Sequence, residues 1–527
     1  TITATDSSAT PGPFTGSQAY TLVVNPCPGI VVTNSSDSGP GSLRQAIADV
    51  CIGGTVIFQA GVSTVTLTSA ELAINKNLTI NGGAGVTVAR STAGGTPNFR
   101  IFNVQSGNAV SMNGLTVSNG NHPVQAGGIL NSGNLTLTNI EILGNRAPQS
   151  GGLQNNNVLV LANSSIVNNV ATISGGGMAI FGTSTTLSNC TISGNVGGSV
   201  SGGIDAGGNV TITNCSIVGN QVTNIGGGIA VNAALVTLRN SIVALNINTT
   251  QNAASNINGS VQAASAFNVI GTGGAGGLSN GVNNNQVGVG ATALLIGTLG
   301  NYGGSTSTLP LLPGSVAIDS ATSVSAPTTD QRGIARPQVN LFDVGAYESR
   351  GFDLEIGAGN NQTALINTAF ATPLSVNVTP VAAGEPVQGG TVSFAPPFAG
   401  AGATLASSPA TINGSGVASV VATANATAGS YSVAPSTIGN AGSALAFALQ
   451  NSLPTASIAV APASVSEDGA SNLVFTVTLG AQAATNTTVN ITTSGTATSG
   501  TDFTGSVASV NISAGNLSGT ITIDPTV

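Results

Sequence analysis

The chain has 527 residues, of which nine are basic and 17 are acidic, and its formal net charge is −8. Because so few basic side chains could neutralise phosphates, the composition excludes a general nucleic-acid-binding protein. A mean hydropathy of +0.34 argues against disorder, and the lack of a long apolar run argues against a membrane span. The chain has 73 glycines among many Asn, Ser, Thr and Val residues, which favours β-structure with tight turns.

The first 26 residues predict two short strands and no domain of their own. Apolar and polar side chains alternate in TITATDSS and in QAYTLVVN, and a Pro/Gly turn separates the two runs. The segment resembles the last two strands of a bacterial immunoglobulin-like repeat. We therefore interpret residues 1–26 as the terminal hairpin of such a domain, and we expect the chain to be a piece of a longer protein.

A capping helix is predicted within DSGPGSLRQAIADVCIGG, which begins at Asp37. Ser42, followed three residues later by Gln45, has the pattern of a capping box, and Leu43 and Ile47 would share one face of the helix. Such a helix would close the open end of a solenoid, whose strand edges would otherwise be unpaired.

An internal repeat indicates the architecture. Related segments such as NIEILGN, NCTISGN and NCSIVGN recur at intervals of 24 to 26 residues. The leading asparagines are Asn139, Asn163, Asn189, Asn214 and Asn240. The trailing asparagines are Asn145, Asn169, Asn195, Asn220 and Asn246. A column of glycines with the same period comprises Gly128, Gly152, Gly177, Gly203 and Gly228.

The spacing predicts how each repeat folds. Apolar residues change phase across the leading asparagine, which indicates a bend between two short strands. Equivalent residues of successive coils would stack about 4.8 Å apart, so the trailing asparagines should form a hydrogen-bonded ladder. The predicted fold class is all-β: a right-handed parallel β-helix with an N-terminal capping helix, flanked by β-sandwich modules. A leucine-rich repeat is the rival fold, but it lacks this Asn spacing.

The four cysteines form two pairs in the sequence. Cys27 and Cys51 flank the predicted capping helix, and a disulfide between them would close the cap in an oxidising location. Cys190 and Cys215 each follow a leading asparagine, so they should face inward one coil apart. Two interpretations stay open for that pair: stacked buried thiols, or a disulfide between coils, which the spacing permits.

Two longer segments carry a family resemblance. DSGPGSLRQAIADV resembles the N-terminal cap of a group of bacterial surface β-helix proteins. LGNYGGSTSTLPLLPGSVAIDSA, followed by TDQRGIARPQVNLFDVGAYE, resembles the "choice-of-anchor Q" domain that ends those helices. The resemblance implies a pectin-lyase-like fold, and we interpret residues 27–350 as one β-helix domain with a cap at each end.

The densest group of charged residues falls in and after this ending segment. Its members are Asp319, Asp330, Arg332, Arg336, Asp343, Glu348, Arg350, Asp353 and Glu355. One interpretation is a catalytic cluster. The other, which we favour, is a cap in which Arg and carboxylate groups pair to fix irregular loops.

The resemblance also raises the question of catalysis, because pectin-lyase-like proteins often cleave acidic polysaccharides. A lyase needs clustered acids for Ca²⁺ and a base, and a hydrolase needs paired carboxylates. Between residues 55 and 300 the acids are Glu71, Glu141 and Asp205, and His122 is the only histidine of the chain. Glu141 and Asp205 fall in different phases of the repeat, and His122 has no acidic partner in sequence. We therefore predict that the chain is not an enzyme.

Residues 351–452 predict a β-sandwich, because alternating strands such as PLSVNVTPV and GVASVVATA lie between Gly/Pro turns. They resemble the immunoglobulin-like repeats of bacterial adhesins. Residues 453–527, with SEDG and GTATSGTDF, resemble a Calx-beta domain without its final strands. One hypothesis is that the N-terminal hairpin of one copy completes this sandwich in the next copy by strand addition.

The Calx-beta resemblance implies acidic Ca²⁺ ligands at Glu467, Asp502 and Asp524, with Asp468 as a neighbour. Calcium requires six to eight oxygen ligands, so three acids are an incomplete site. Calcium is the one cofactor that the sequence suggests.

These features together predict a structural or adhesive protein of the bacterial cell surface or extracellular space, and a subunit of a fibre or matrix. The expected partners are other copies of the chain, neighbouring modules of a longer chain, surface glycans and host or matrix proteins, but not nucleic acid. The alternative is a polysaccharide-binding or polysaccharide-cleaving pectin-lyase-like protein. A groove lined by two or more acids and an arginine would favour that alternative.

Overall fold

The computed structural model describes residues 2–5, 15–18, 28–232, 234–467, 469–480, 482 and 485–525. The chain forms two compact units: Thr1–Gly351 with Pro380–Pro386, and Phe352–Thr379 with Val387–Val527. The structure is almost entirely β, and the first unit contains a β-helix of about ten turns, which confirms the predicted fold class.

Three sheets form the walls of the β-helix in the described residues. The sixteen-stranded sheet comprises Ile30–Val32, Gly54–Phe58, Thr64–Leu67, Leu78–Arg90, Ala109–Ser118, Asn134–Leu143, Val158–Ala162, Ser165–Val167, Ser184–Ser188, Thr191–Ser193, Val210–Thr213, Ser216–Val218, Val236–Arg239, Ile242–Ala244, Val269–Gly271 and Gln286–Val289. The eight-stranded sheet comprises Leu72–Ile74, Phe102–Val104, Ile129–Asn131, Leu153–Asn155, Met178–Ile180, Ile204–Ala206, Ile229–Val231 and Ile257–Asn258. The six-stranded sheet comprises Arg146–Gln149, Val170–Ser174, Val196–Gly197, Gln221–Val222, Ile247–Asn248 and Ala253–Ala254.

Successive coils pair in parallel and in register, so equivalent side chains stack. One buried column runs through Ile142, Ile166, Ile192, Ile217, Val243 and Ile270. Burying each such side chain contributes about 1.5–3 kcal/mol. Because every coil repeats the column, each coil completes the core of its neighbours.

The leading asparagines lie at the bend of the sixteen-stranded sheet, as predicted. The strand Asn134–Leu143 runs through this bend, and in the next coil its two halves pair with the separate strands Val158–Ala162 and Ser165–Val167. All five leading asparagines have left-handed backbone, with φ between 49° and 54°. Asn adopts this conformation more easily than other non-glycine residues, which explains its recurrence at the bend.

The predicted capping helix is Leu43–Asp49, with Leu43, Ala46 and Ile47 buried. The Ser42 hydroxyl accepts a hydrogen bond from the Gln45 N–H at 3.2 Å. The reciprocal half of the capping box is absent, because the Gln45 side chain donates to Asp49 at 2.8 Å instead. The Ser42 N–H is satisfied by a turn carbonyl, so the side chain of Gln45 is free for its neighbour one turn later.

We call residues 300–350 the lateral strap, because they follow the side of the β-helix. Asn189 Nδ2 donates to Thr329 O at 2.8 Å, and Asn240 Nδ2 donates to Thr322 O at 2.7 Å. We expected this segment to close the end of the helix, and Ser315 and Val316 do bond to Leu294 and Gln286 near the last coil. The same segment also runs back over the bends of several coils. The physical reason is that outward amides at the bends need acceptors, which a polar loop supplies. Two short helices precede the strap, Val282–Asn284 and Ala291–Leu294.

The second unit consists of antiparallel-rich sheets. A four-stranded sheet comprises Phe352–Ala358, Leu374–Pro380, Val417–Ala424 and Ala403–Ala406. A five-stranded sheet comprises Gln362–Leu365, Phe447–Ser452, Gly429–Ser436, Thr391–Ala395 and Ala410–Thr411. A three-stranded sheet comprises Ala456–Ala461, Leu473–Leu479 and Ser518–Ile523, and a two-stranded sheet comprises Thr487–Asn490 and Ser509–Ile512. Pairs of sheets of this kind fit the predicted β-sandwich flank.

The N-terminal hairpin pairs Ile2–Thr5 with Thr15–Gln18 in antiparallel register. No helix in the described part of the chain has the length and hydropathy needed to cross a membrane.

Candidate functional site

A ladder of buried asparagines runs along the interior corner of the β-helix. Each side-chain Nδ2 donates to the Oδ1 of the asparagine in the next coil. The bonds are Asn145 to Asn169 (3.0 Å), Asn169 to Asn195 (3.0 Å), Asn195 to Asn220 (2.9 Å), Asn220 to Asn246 (2.9 Å) and Asn246 to Asn256 (3.1 Å). All six side chains are fully buried.

Each ladder amide also satisfies backbone groups. Asn195 Oδ1 accepts the N–H of Asn169 at 2.9 Å, and Asn195 Nδ2 donates to Ile166 O at 2.8 Å. A single amide therefore joins three coils and leaves none of its own polar atoms unpaired. This saturation is the property expected of a structural element.

The glycine column exists because it packs against the ladder. A Cβ at Gly152 would lie 2.5 Å from Gly177 O and 3.0 Å from Asn169 Cγ. The backbone of Gly152 therefore approaches the ladder more closely than any other residue type allows. The period of the glycines could be seen in the sequence, but their close contact with the asparagine ladder could not.

The two cysteine pairs differ. Cys190 and Cys215 are free, buried thiols, so the stacked-thiol interpretation describes them and the disulfide between coils is not formed. Burial raises the pKa of Cys215 well above its ordinary value, and the neighbouring Cys190 adds to this effect. Cys51 is disulfide-bonded. Cys27, its predicted partner, lies outside the described residues.

The structure brings together three side chains that sequence analysis left apart. Arg100 Nε lies 2.8 Å from Glu71 Oε2, and Arg100 Nη2 lies 2.7 Å from His122 Nε2. Asn103 Nδ2 also donates to Glu71 at 2.7 Å. Arg100 Nη1 is buried and has no hydrogen-bond partner within the described residues. Glu71, Arg100 and His122 precede three neighbouring strands of the eight-stranded sheet, namely Leu72–Ile74, Phe102–Val104 and Ile129–Asn131. The register between successive coils therefore brings the three side chains together.

His122 is poorly placed to act as a base. Its Nδ1 faces the N–H groups of Val124 and Gln125 at 3.2 and 3.1 Å, and its Nε2 faces Arg100. Burial, with the charge of Arg100, lowers the pKa of His122. A neutral imidazole accepts at one ring nitrogen and carries a proton on the other. His122 can therefore accept either from the turn at Nδ1 or from Arg100 at Nε2, and its contacts are those of a residue that fixes local structure.

The other two acids of the coils, Glu141 and Asp205, accept hydrogen bonds from neighbouring side chains. Glu141 Oε1 accepts from the hydroxyls of Ser165 and Ser307, at 3.1 and 2.6 Å. Asp205 Oδ1 accepts from Asn232 Nδ2 at 2.6 Å, and burial raises the pKa of Asp205. Neither acid forms a carboxylate pair of the kind that a glycoside hydrolase uses.

Arg332 is the centre of one buried ion-pair network of the lateral strap. Its Nη2 lies 2.8 Å from Asp330 Oδ2, its Nη1 lies 3.3 Å from Glu385 Oε1, and its Cζ lies 3.5 Å from the centroid of the Tyr347 ring. Arg350 Nε joins the same Glu385 oxygen at 2.9 Å. Burial alone would lower the pKa of Arg332, but the charge of Asp330 raises it.

Arg336 is the centre of a second network. Its Nη1 donates to Glu348 Oε2 at 2.6 Å. Burial, reinforced by the charge of Glu348, raises the pKa of Asp343 well above its ordinary value, and burial also raises the pKa of Glu348. Asp343 Oδ1 accepts the N–H of Asp319 at 2.8 Å.

The predicted charge cluster is therefore divided between the two units. Asp353 and Glu355 are exposed residues of the strand Phe352–Ala358 and belong to the second unit. Glu385 comes from the distant segment Pro380–Pro386, and sequence analysis gave no signal for it. The side chains of Arg332 and Asp330 have at most 1% exposure, so their charges are shielded from solvent. This arrangement fits the interpretation in which the charges pair to fix irregular loops, here those of the lateral strap.

Within the described residues, the structure does not group the three predicted calcium residues Glu467, Asp502 and Asp524. Asp502 Oδ2 accepts the N–H of Thr498 at 2.7 Å, and the backbone of Asp524 pairs with that of Thr504. Glu467 lies in an exposed turn. Among the described residues no three His, Cys, Asp or Glu side chains are grouped to hold a metal ion, and Asp468 lies outside those residues. Calcium requires six to eight oxygen ligands, and its binding to this chain stays a prediction.

Comparison with known proteins adds no identification. No protein-family model matches the chain, and the search of curated proteins finds no similar protein.

Proposed function

We propose that the chain is a structural component of the extracellular space or the bacterial cell surface, and that it associates into a fibre or matrix with an adhesive role. The asparagine ladder is the observation that carries this proposal. A continuous column of amides whose own polar atoms are all hydrogen-bonded is suited to a stiff rod. The occupied charges of the lateral strap support the same function.

The location is inferred from two properties. Cys51 is disulfide-bonded, and disulfides persist in oxidising environments outside the cytosol. Nine basic and 17 acidic residues in 527 leave little surface charge of either sign to keep neighbouring copies apart. Both properties suit a protein that associates outside the cell.

The test is electron microscopy of the purified chain across a range of concentrations, with and without Ca²⁺. Filaments or sheets with a repeat set by the length of the chain would support the proposal. Separate particles at every concentration would contradict it. Calcium is varied because of the Calx-beta resemblance. If the acids of this chain do not bind Ca²⁺, chelation should not change the assembly seen by microscopy.

A second candidate is polysaccharide binding, because Glu71, Arg100 and His122 lie together on one side of the β-helix. An arginine beside a neutral imidazole could bind an acidic sugar. Binding of polygalacturonate that is lost in Arg100→Gln would support this candidate. Equal retention of the wild type and the variant on an acidic polysaccharide column would contradict it.

A further inference from the structure

A column of outward side chains runs along the strands that precede the bend in each coil. Parallel pairing places one outward residue of each strand directly beside the equivalent residue of the next strand. The members of this column, which we call the hydroxyl column, are Thr55, Thr79, Ser111, Thr136, Val160, Thr186, Thr211 and Thr237. Seven of the eight side chains carry a hydroxyl group, and Val160 has the shape of threonine with a methyl group in its place.

The hydroxyl column is open to solvent. Ser111, Thr136, Val160, Thr186 and Thr211 are exposed, and the other three members are half-buried. Seven of the eight side chains are β-branched, which restricts them to few rotamers, so their methyl and hydroxyl groups change direction little. A ligand that binds this column would therefore have to order few side chains.

The hydroxyl groups of the column have no protein partners. Neighbouring members lie about 4.8 Å apart, which is too far for a direct hydrogen bond between them. Within the described residues, no hydrogen bond joins any of the seven hydroxyls to another side chain or to the backbone. Each hydroxyl therefore bonds to water, and the waters that bridge neighbours form a row whose period is the strand spacing.

The interior of the β-helix favours a straight row. Sheets of many strands ordinarily twist, and side-chain ladders are one means by which they stay flat. The buried asparagine ladder joins the same five coils that carry the column from Thr136 to Thr237. The strands of these coils that carry the column pair in register without a bulge. Eight members at the strand spacing make a row about 34 Å long.

The adjacent column on the same face carries almost no charge. Its members are Ile57, Asn81, Asn113, Thr138, Ala162, Ser188, Thr213 and Arg239, of which only the last is charged. Neither column contains an aromatic residue or a carboxylate, which are groups that bind sugars. Neither contains the aromatic and methionine anchors of protein interfaces. A lattice of water is the ligand that a repeated, uncharged row of hydroxyl and methyl groups fits best.

We propose that the hydroxyl column is an ice-binding face. The oxygen atoms of ice repeat at a spacing close to that of neighbouring strands, so the row of bridging waters can merge with the surface of the crystal. Threonine methyl groups fill the gaps between these waters without competing for their hydrogen bonds. Because the protein already holds the waters, little further ordering is needed when ice binds. This inference goes beyond the proposed association of the chain and does not depend on it.

The test is the partition of the purified chain between ice and solution while ice grows slowly on a cooled probe. Growing ice excludes ordinary solutes and incorporates a protein that binds to its surface. Thr186→Lys places a long charged side chain in the middle of the column. Thr379→Lys is the matched control, because Thr379 is an exposed strand residue of the second unit. We expect the wild type and Thr379→Lys in the ice, and Thr186→Lys in the liquid. Exclusion of the wild type, or equal incorporation of all three proteins, would overturn the proposal.

A second variant separates loss of the face from loss of the fold. Thr136→Lys lies two coils away in the same column and should also remain in the liquid, and circular dichroism establishes that both column variants are folded. Incorporation of folded Thr136→Lys at the wild-type level would overturn the proposal. Filaments of a wild type that ice excludes would leave the proposed function intact while removing the ice-binding face, whereas incorporation of separate particles would do the reverse.

Discussion

The coils of the β-helix and the last five strands of the chain differ in how completely their polar groups are hydrogen-bonded and their apolar side chains are buried. In the coils, ladder amides, paired strands and the lateral strap satisfy buried donors and acceptors, and the capping helix Leu43–Asp49 packs three side chains against the first coils. In the last module, the described strand Ala456–Ala461 pairs with Leu473–Leu479, and its Ile458 is 55% exposed. The comparison teaches that a periodic region buries its apolar and polar groups coil by coil, whereas the described strands of the last module cover their apolar face only in part.

The largest expected effect comes from disturbing the contact between the glycine column and the ladder. Gly152→Ala places a Cβ 2.5 Å from the backbone oxygen of Gly177. Because that oxygen belongs to the paired backbone of the next coil, it cannot easily move away. Overpacking of this kind should lower the free energy of unfolding by about 3 kcal/mol. Urea unfolding followed by circular dichroism measures this loss in the free energy of unfolding. Gly94→Ala is the matched control, because a Cβ at Gly94 meets no atom within 4 Å.

Removal of a ladder amide should have the next largest effect. Asn195→Ala leaves the N–H of Asn169 and the carbonyl of Ile166 unpaired in the interior. We expect a loss of about 2 kcal/mol in the free energy of unfolding. The exposed Asn209 accepts only a 3.4 Å bond from Leu235, so Asn209→Ala should change stability little. Equal losses in both variants would show that the ladder is not a special source of stability.

The third prediction concerns acid sensitivity of the coils. Because burial and the charge of Arg100 lower the pKa of His122, the stability that its neutral form contributes is present above pH 6.5 and is lost as the pH falls through the folded-state pKa. His122→Asn keeps an acceptor for the turn but does not titrate. Between pH 8 and pH 5, the wild type should lose more stability than this variant in urea titrations.

The smallest effect is expected at Asp205 and has the opposite sign. Burial raises the pKa of Asp205, so its contribution is present below the ordinary carboxyl pKa and is lost as the pH rises through the folded-state pKa. Asp205→Asn should therefore be more stable than the wild type at pH 7.5 and nearly equal to it at pH 3.5. A variant that is less stable than the wild type at pH 7.5 would mean that the bond to Asn232 depends on the charge.

The repeat made the coils predictable, because its period and phase specify register and bend. The stacking of Ile142, Ile166 and Ile192 and the left-handed leading asparagines both follow from local pattern. The lateral path of residues 300–350 did not follow, since an irregular segment has no period that specifies its partners.

The side-chain clusters were harder to predict for the same reason. Arg100 meets His122 across coils of irregular length, and Glu385 reaches Arg332 from a segment 53 residues further along the chain. Spacing in sequence carries no information on such contacts.

Hydrogen exchange of the full chain at several protein concentrations tests the central claim most directly. The backbone N–H groups that the ladder holds, such as those of Asn169 and Asn195, should exchange slowly at every concentration. The N–H groups of Ala456–Ala461 that point away from Leu473–Leu479 should exchange much faster. Fast exchange along the ladder would contradict the account of the β-helix as a rigid rod.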